Sequence, residues 1–366
     1  MAVKYLAGER IQGTAAERAA LETTQEGSVP QTTWKELGTR AVASGGDTTE
    51  LEVTFTAKDY LMILVHNTQS TPAGSGDIYA LLGGSDYTST DYRVRRVKNG
   101  EYGGNTDSDS STTNIRIADG LSGTTGSNYF VSQFWNDDNS GAKLGIGHTV
   151  ITNNTGTGNQ CIAYEVVASW QPDTASTRIT RVKIKTDDAS HYFGDGTELV
   201  VLGMDVDEGD GGGTTNFWQE IASVKGDGTS TTMTTGTITL PKYLMMEIYG
   251  ESMVSCKMRF NGETSSDFQR TYTANGENFA QNSGADGLEF LYDLAPASIH
   301  LDIVNVAGEE KLIIGHTVEA NNSSSTVNRM ELWAKNVDTA IITEISLSKP
   351  SGNFTANDNF RIWGHN

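Results

Sequence analysis

Lys143-Leu144-Gly145-Ile146-Gly147-His148-Thr149-Val150 returns as Lys311-Leu312-Ile313-Ile314-Gly315-His316-Thr317-Val318, and an Asn-Asn pair follows each copy, at Asn153-Asn154 and Asn321-Asn322. Working outward, Trp34-Lys35-Glu36-Leu37 matches Trp218-Gln219-Glu220-Ile221, and Tyr60-Leu61-Met62 matches Tyr243-Leu244-Met245. Asn99-Gly100-Glu101 matches Asn275-Gly276-Glu277, and Phe193…Leu202-Gly203 matches Phe354…Trp363-Gly364. The spacing between partners falls from 184 at Trp34 to 161 at Phe193, so the second copy has shorter loops. Anchors in unbroken order mark a duplication, and that sets the domain count before any propensity argument.

The expected division is an N-terminal arm at 1–30, one repeat at 31–207, a Gly/Asp-rich linker at 208–214 and a second repeat at 215–366. With 366 residues the chain exceeds one ordinary core, and two units of roughly 150 to 175 residues fit the usual domain size. In the arm, Thr14-Ala15-Ala16-Glu17 has the pattern of a capping box ahead of Arg18-Ala19-Ala20-Leu21-Glu22, which predicts one short helix. A helix of two or three turns is marginal alone in water, so it needs a surface to pack on.

Both repeats read as strands. Leu51-Glu52-Val53-Thr54-Phe55 alternates in the period of two, and Tyr60-Leu61-Met62-Ile63-Leu64-Val65 reads as a strand buried on both faces. Tyr92–Val97, Tyr129–Trp135, Ala163–Val167, Ile179–Ile184 and Leu199–Leu202 follow. In the second copy the series is Thr237–Leu240, Leu301–Val304, Leu312–Ile314, Arg329–Trp333 and Phe360–Trp363. Turn residues separate the runs and no helical pattern lies between them, which excludes parallel α/β folds. The expectation is an all-β protein: two tandem, duplicated antiparallel β-sandwich domains, jelly-roll-like, with seven to nine strands each. Loops at 67–77, 102–114 and 152–160 are expected to face solvent or partners.

Charge narrows the partners. Forty-six acidic against 26 basic residues give a formal charge of −20, which opposes docking on nucleic acid or anionic lipid. No stretch could span a bilayer as a helix. Met1 to Arg10 has no apolar run long enough for a signal peptide, so synthesis in the host cytoplasm is expected, while the Gly-, Thr-, Ser- and Asn-rich composition suits an outside surface. Virion proteins released by lysis meet both conditions.

Candidate chemistry is sparse. His148-Thr149 and His316-Thr317 sit in the same frame, yet neither has a His, Cys or acidic partner at metal-ligating or catalytic spacing. Their expected role is packing, as repeat-signature residues together with Trp34 and Trp218, the imidazole bonding a loop carbonyl beside a closely packed Gly. Cys161 and Cys256 occupy unmatched places and read as buried free thiols. The acidic run Asp205–Gly213 reads as linker ahead of a calcium loop, because the EF-hand spacing is absent. Asp137-Asp138 and Glu309-Glu310 read as solvated turns. Tyr87, Tyr92, Tyr102, Trp170 and Trp218 could stack on sugars, but more often such residues fill a core or a subunit contact. No nucleophile elbow, P-loop, zincin or dinucleotide motif is present. No cofactor, metal or catalytic residue is expected.

The opening segment from Lys4-Tyr5-Leu6-Ala7-Gly8-Glu9-Arg10 to Leu21 resembles an N-terminal segment of structural proteins from marine, phage-like viruses. Several of these carry lectin-like β-sandwiches after it. The Lys311–Val318 block and Glu331-Leu332-Trp333-Ala334-Lys335 look like their sandwich repeats. The resemblance implies a non-enzymatic virion component, whether capsid, decoration or tail fibre. Tyr5, Leu6, Arg10, Ile11 and Leu21 would then form the assembly arm. The expected partners are further copies of the chain, with a trimer as first guess, other virion proteins and host surface glycans. The alternative is an extracellular carbohydrate-binding or adhesive, filament-forming β-sandwich protein.

Overall fold

The computed structural model describes residues 34–365 apart from 45, 47, 69–75, 85–91, 99–105, 122–126, 137–141, 152–161, 171–176, 188–190, 206–216, 252–254, 266, 275–276, 290–296 and 321–326. The expected arm, its helix, the loop at 152–160, Asp137-Asp138, Cys161, Tyr87, Tyr102 and nearly all of the acidic linker therefore lie outside the described residues. Everything described is strand, turn or coil, and no helix occurs among those residues.

Twelve strands form the first half: β1 (Lys35–Ala41), β2 (Glu50–Thr54), β3 (Tyr60–Thr68), β4 (Gly76–Gly83), β5 (Tyr92–Lys98), β6 (Thr106–Thr112), β7 (Ile115–Leu121), β8 (Ser127–Trp135), β9 (Lys143–Ile151), β10 (Ile162–Trp170), β11 (Arg181–Thr186) and β12 (Glu198–Met204). The second half has β13 (Gln219–Lys225), β14 (Thr232–Thr234), β15 (Tyr243–Gly250), β16 (Lys257–Phe260), β17 (Phe268–Ala274), β18 (Glu277–Ala285), β19 (Leu288–Glu289), β20 (Ala297–Val304), β21 (Lys311–Ala320), β22 (Val327–Asn336), β23 (Ile345–Ser348) and β24 (Asn359–His365).

In the first half an eight-stranded sheet of order β1-β12-β3-β8-β9-β10-β5-β6 covers a four-stranded sheet of order β2-β11-β4-β7. The second half has β13-β24-β15-β20-β21-β22-β17-β18 over β14-β23-β16-β19, which is the first order with twelve added to each label. All strand pairings among the described residues are antiparallel.

The correspondence reaches single residues. β1 bulges against β12 between Glu36 and Gly38, and β13 bulges against β24 between Glu220 and Ala222. The residue inside each bulge, Leu37 or Ile221, lies where a Cβ on Gly203 or Gly364 would fall, at 2.6 and 2.7 Å, so only glycine fits opposite it. A shared asparagine clamp recurs too. Asn136 donates through Nδ2 to the carbonyls of Lys58 (2.9 Å) and Ile179 (3.0 Å), while its Oδ1 accepts the Ile179 N–H at 2.6 Å. Asn305 does the same for the carbonyls of Pro241 (3.4 Å), which matches Lys58, and Ile342 (3.3 Å) and for the Ile342 N–H at 2.7 Å, and it also reaches the Leu240 carbonyl at 3.4 Å. Each asparagine follows the last residue of its strand, β8 or β20, and ties it to two chain segments beside it.

Each half has its own core between its two sheets. Leu61, Ile63, Val65, Phe130, Phe134, Tyr164, Val182 and Leu199 belong to the first, and Leu244, Met246, Ile248, Met258, Leu301, Ile345 and Phe360 to the second. Tyr92, offered above as a possible sugar platform, is fully buried, with its hydroxyl donating to the Leu82 carbonyl and accepting the Leu82 N–H. Trp170 is buried in the same core.

The strand count exceeds the expected seven to nine, for a physical reason. β6 reads Thr-Asp-Ser-Asp-Ser-Ser-Thr, with no apolar residue to betray it, and it pairs with β5 at the edge of the sheet. A polar edge strand is a common guard against edge-to-edge association. The expected loop at 102–114 is thereby corrected to a strand over much of its length, and 67–77 is shortened by the ends of β3 and β4. Conversely, the strand expected at 237–240 is coil: Gly236 at φ 62° and Pro241 bracket it, although the Ile238 N–H still bonds the Thr343 carbonyl at 2.8 Å.

Candidate functional site

A third apolar core joins the halves. The outer faces of the two eight-stranded sheets pack on each other through Met62, Leu64, Tyr129, Val131, Val150, Ala163, Val200 and Leu202 from the first half. Phe217, Trp218, Tyr243, Val304, Leu312, Ile314 and Trp333 come from the second. The molecule is thus four sheets deep, with the larger sheets in the middle.

The two repeated histidines meet there. Along β9 the residues Leu144, Ile146, His148 and Val150 share the outer face, since the alternation of a strand puts every second side chain on one side. Leu312, Ile314, His316 and Val318 do so along β21. The rings of His148 and His316 stand edge to face with centroids 4.5 Å apart, and the Trp333 ring lies 6.3 Å from His148. The glycine before each histidine is packed on the opposite, inner face. A Cβ on Gly147 would come within 2.6 Å of Phe130, and one on Gly315 within 2.6 Å of Leu301. Thr149, on that inner face, donates to the Ile117 carbonyl of the smaller sheet at 2.6 Å. Thr317 is buried at the matching position. Trp34 and Trp218 also come together at the join: the Trp34 carbonyl accepts the Phe217 N–H at 3.0 Å, and Trp218 lies in the third core.

Charged groups rim the seam. Glu198 Oε2 accepts from Lys242 Nζ at 2.7 Å and from the Tyr243 hydroxyl at 2.8 Å. His66 Nε2 lies 3.0 Å from Glu309 Oε2, and His365 Nε2 lies 3.4 Å from Glu36 Oε2. Burial, with Asp302 adding to it, holds the Tyr129 phenol well above its ordinary pKa, and burial together with Glu198 does the same to Tyr243. Glu309-Glu310 is corrected from a solvated turn. Glu310 is buried and bonds Lys335 Nζ at 3.1 Å, and Glu309 is half-buried beside His66, although Ala307 and Gly308 of the same β20–β21 turn are exposed.

A charge introduced into this seam should show how tightly it couples the halves. Ile314→Lys would bury an unpaired ammonium at a cost of several kcal/mol. Differential scanning calorimetry is expected to show one transition for the unaltered chain and two for the variant. A variant that unfolds in one unshifted transition would show that the seam contributes little.

Among the described residues no group of three or more His, Cys, Asp or Glu could hold a metal ion. No helix among them is long and apolar enough to cross a membrane. Burial pushes the Cys256 thiol up to about 12, which leaves it a poor nucleophile.

No protein-family model and no curated protein matches the chain. Two solved structures of human GIVD cytosolic phospholipase A2, one in complex with methyl gamma-linolenyl fluorophosphonate, align with 77% and 78% of this chain at 9% and 8% identity. Both have a TM-score of 0.10, and the chain spans 33% of their length. Similarity at that level assigns neither fold nor function.

Proposed function

We propose that this chain is a non-enzymatic virion structural protein, built from two tandem, duplicated jelly-roll domains at 31–207 and 215–366. The strand order supports the jelly roll. Taking β1, β2, β3, β4, β7, β8, β11 and β12 as eight strands, the first, eighth, third and sixth share one sheet, and the second, seventh, fourth and fifth share the other. That is a double Greek key, an arrangement used in viral shells and in lectins. The hairpins β5-β6 and β9-β10 widen one sheet. Matching bulges, asparagine clamps and strand orders support descent of both domains from one copied unit.

The observation that carries the scaffold reading is the third core. It fuses two sandwiches into one thick block through packed side chains. In this reading the arm, with Tyr5, Leu6, Arg10, Ile11 and Leu21, anchors the block to neighbouring subunits or other virion proteins, and the chain works as a homo-oligomer. Quantitative mass spectrometry of purified particles should find the chain in fixed ratio to the major shell protein. Recovery from particle-free medium alone would overturn the assignment.

A second reading, a carbohydrate-binding or adhesive sandwich, draws on Trp135. Its side chain is 52% exposed and its ring lies 5.6 Å from that of Tyr60 on an open sheet face. Glycan binding that is abolished by Trp135→Ala, in a chain absent from particles, would favour it.

A further inference from the structure

The seam uses unequal halves of two matching faces. Residues at the same register position in corresponding strands can be compared directly. The second half buries Val304, Leu312, Ile314 and Trp333 in the seam. Their counterparts in the first half are Trp135, Leu144, Ile146 and Val167, and these are 52%, 60%, 42% and 46% exposed. The first half instead contributes the other end of its face, with Leu64, Tyr129, Val131, Val150 and Val200. The counterparts of those five are Glu247, Ser298, His300, Val318 and Arg361, all exposed or half-buried. So the join is offset, and each half keeps one open end. The open end of the second half has become largely polar. The open end of the first has kept four large apolar side chains, with Gln133 among them, on the sheet face that continues into the seam.

We infer that this surface, Trp135, Leu144, Ile146 and Val167 with Tyr60 beside them, is a self-association face that pairs with the same face of a second copy about a two-fold axis. The chain already buries the matching set of residues when a partner sheet is present, so a sheet of this kind is what the surface fits. Between the faces left free on a second copy, magnitudes choose. Docking on the second half's open end would take Glu247 and Arg361, which face each other across β15 and β24, out of water against apolar groups, and desolvating an ion pair can exceed what the pair returns. Docking on its own counterpart covers eight large apolar side chains, with Gln133 opposite Ile146 and with Arg93 and Arg95 on the adjacent strand β5, whose long stems can lie along the apolar surface while their heads stay in water. Twofold pairing of one patch with itself is also the commonest symmetry of homo-oligomers. The offset gives the pairing room: the second half of each copy stands beside, not over, the open end. This deepens the homo-oligomer element of the proposed function, giving it a two-fold contact in place of the trimer expected from sequence.

Sedimentation velocity of the full chain across a concentration series tests it. The unaltered protein should reach twice the 39.4 kDa chain mass. The double variant Leu144→Glu/Ile146→Glu should stay monomeric, with self-affinity weakened about a hundredfold or more. Because both residues are exposed, folding should survive, and near-ultraviolet circular dichroism checks this; Trp135→Arg serves as an independent variant. Tyr249→Glu/Val318→Glu, on the second half's open end, should dimerise like the unaltered chain. Loss of association in that last variant would mean head-to-tail stacking and would overturn the two-fold pairing. So would a trimer, or a monomer at every concentration with Trp135 shielded from a fluorescence quencher, which would mean that residues 1–30 cover the face. If the chain is found in particles while the Leu144/Ile146 variant still associates, this interface falls and the scaffold reading stands. If the dimer forms as described but particles lack the chain, the reverse holds.

Discussion

Asn305→Ala should destabilise the chain by about 3 kcal/mol or more. The side chain holds two buried carbonyls and one buried N–H, those of Leu240, Ile342 and Ile342, and truncation strands all three. Each buried backbone group left without its partner costs about 1 to 3 kcal/mol. Asn136→Ala should behave alike, since it clamps Lys58 and Ile179 at the matching place and at shorter distances. Asp is the informative replacement. It keeps the acceptor for the Ile342 or Ile179 N–H but loses both donors, so its cost should fall between wild type and Ala only if the N–H bond dominates. Urea denaturation followed by fluorescence measures all four variants, and a loss under 1 kcal/mol for both alanine variants would remove the clamp as an explanation of how β8 and β20 end.

Asp358→Ala should cost about 3 to 5 kcal/mol, because it leaves a buried cation unpaired. Asp358 is fully buried and bonds Lys349 Nζ at 3.0 Å, while also accepting the N–H groups of Glu251 and Thr355 at 2.8 Å each. Thr197 holds the matching place in the first half, where its hydroxyl oxygen accepts the Thr68 N–H at 3.0 Å just as Asp358 accepts that of Glu251. The counterpart of Lys349 is Thr186: their N–H groups bond the Thr231 and Thr49 carbonyls, respectively, at 2.9 and 3.0 Å. One half therefore uses neutral hydroxyls where the other uses an ion pair. The double variant Lys349→Thr/Asp358→Thr should recover at least half of the loss seen in Asp358→Ala, since no charge is then stranded. A double variant as damaged as the single one would show that the stability resides in the pair itself.

Among the described residues the repeat blocks read from sequence fall on corresponding strands or just ahead of them, because strict alternation and glycine spacing survive wherever a face packs; Asn99-Gly100-Glu101, Asn275-Gly276 and the Asn-Asn pairs lie outside those residues. Lys143–Val150 and Lys311–Val318 lie on β9 and β21, and Trp34 and Trp218 immediately precede β1 and β13. What sequence did not disclose was partnership between faces. Leu144 and Leu312 look identical in the two blocks, yet one is 60% exposed and the other fully buried, a difference set by what lies opposite and not by local pattern. The sequence assigns the histidines a packing role, and the structure adds what local pattern could not show, that one ring packs against the other across the seam. Asn136 and Asn305 are hidden in the sequence although each follows an apolar strand end, because their flanking residues differ. Trp135 reads in sequence only as the end of a strand, and the polarity of β6 hides it.

The offset join carries a consequence for how such a molecule stops growing. Units that stack by a displaced step have no last member in principle, and a third tandem unit could be laid on the second as the second lies on the first. Glu247, Ser298, His300 and Arg361 close that end, much as the outward polar face of a terminal repeat closes a solenoid. Replacing those four with Leu, Tyr, Val and Val, the residues found at the same positions in the first half, should turn a finite object into a chain-forming one.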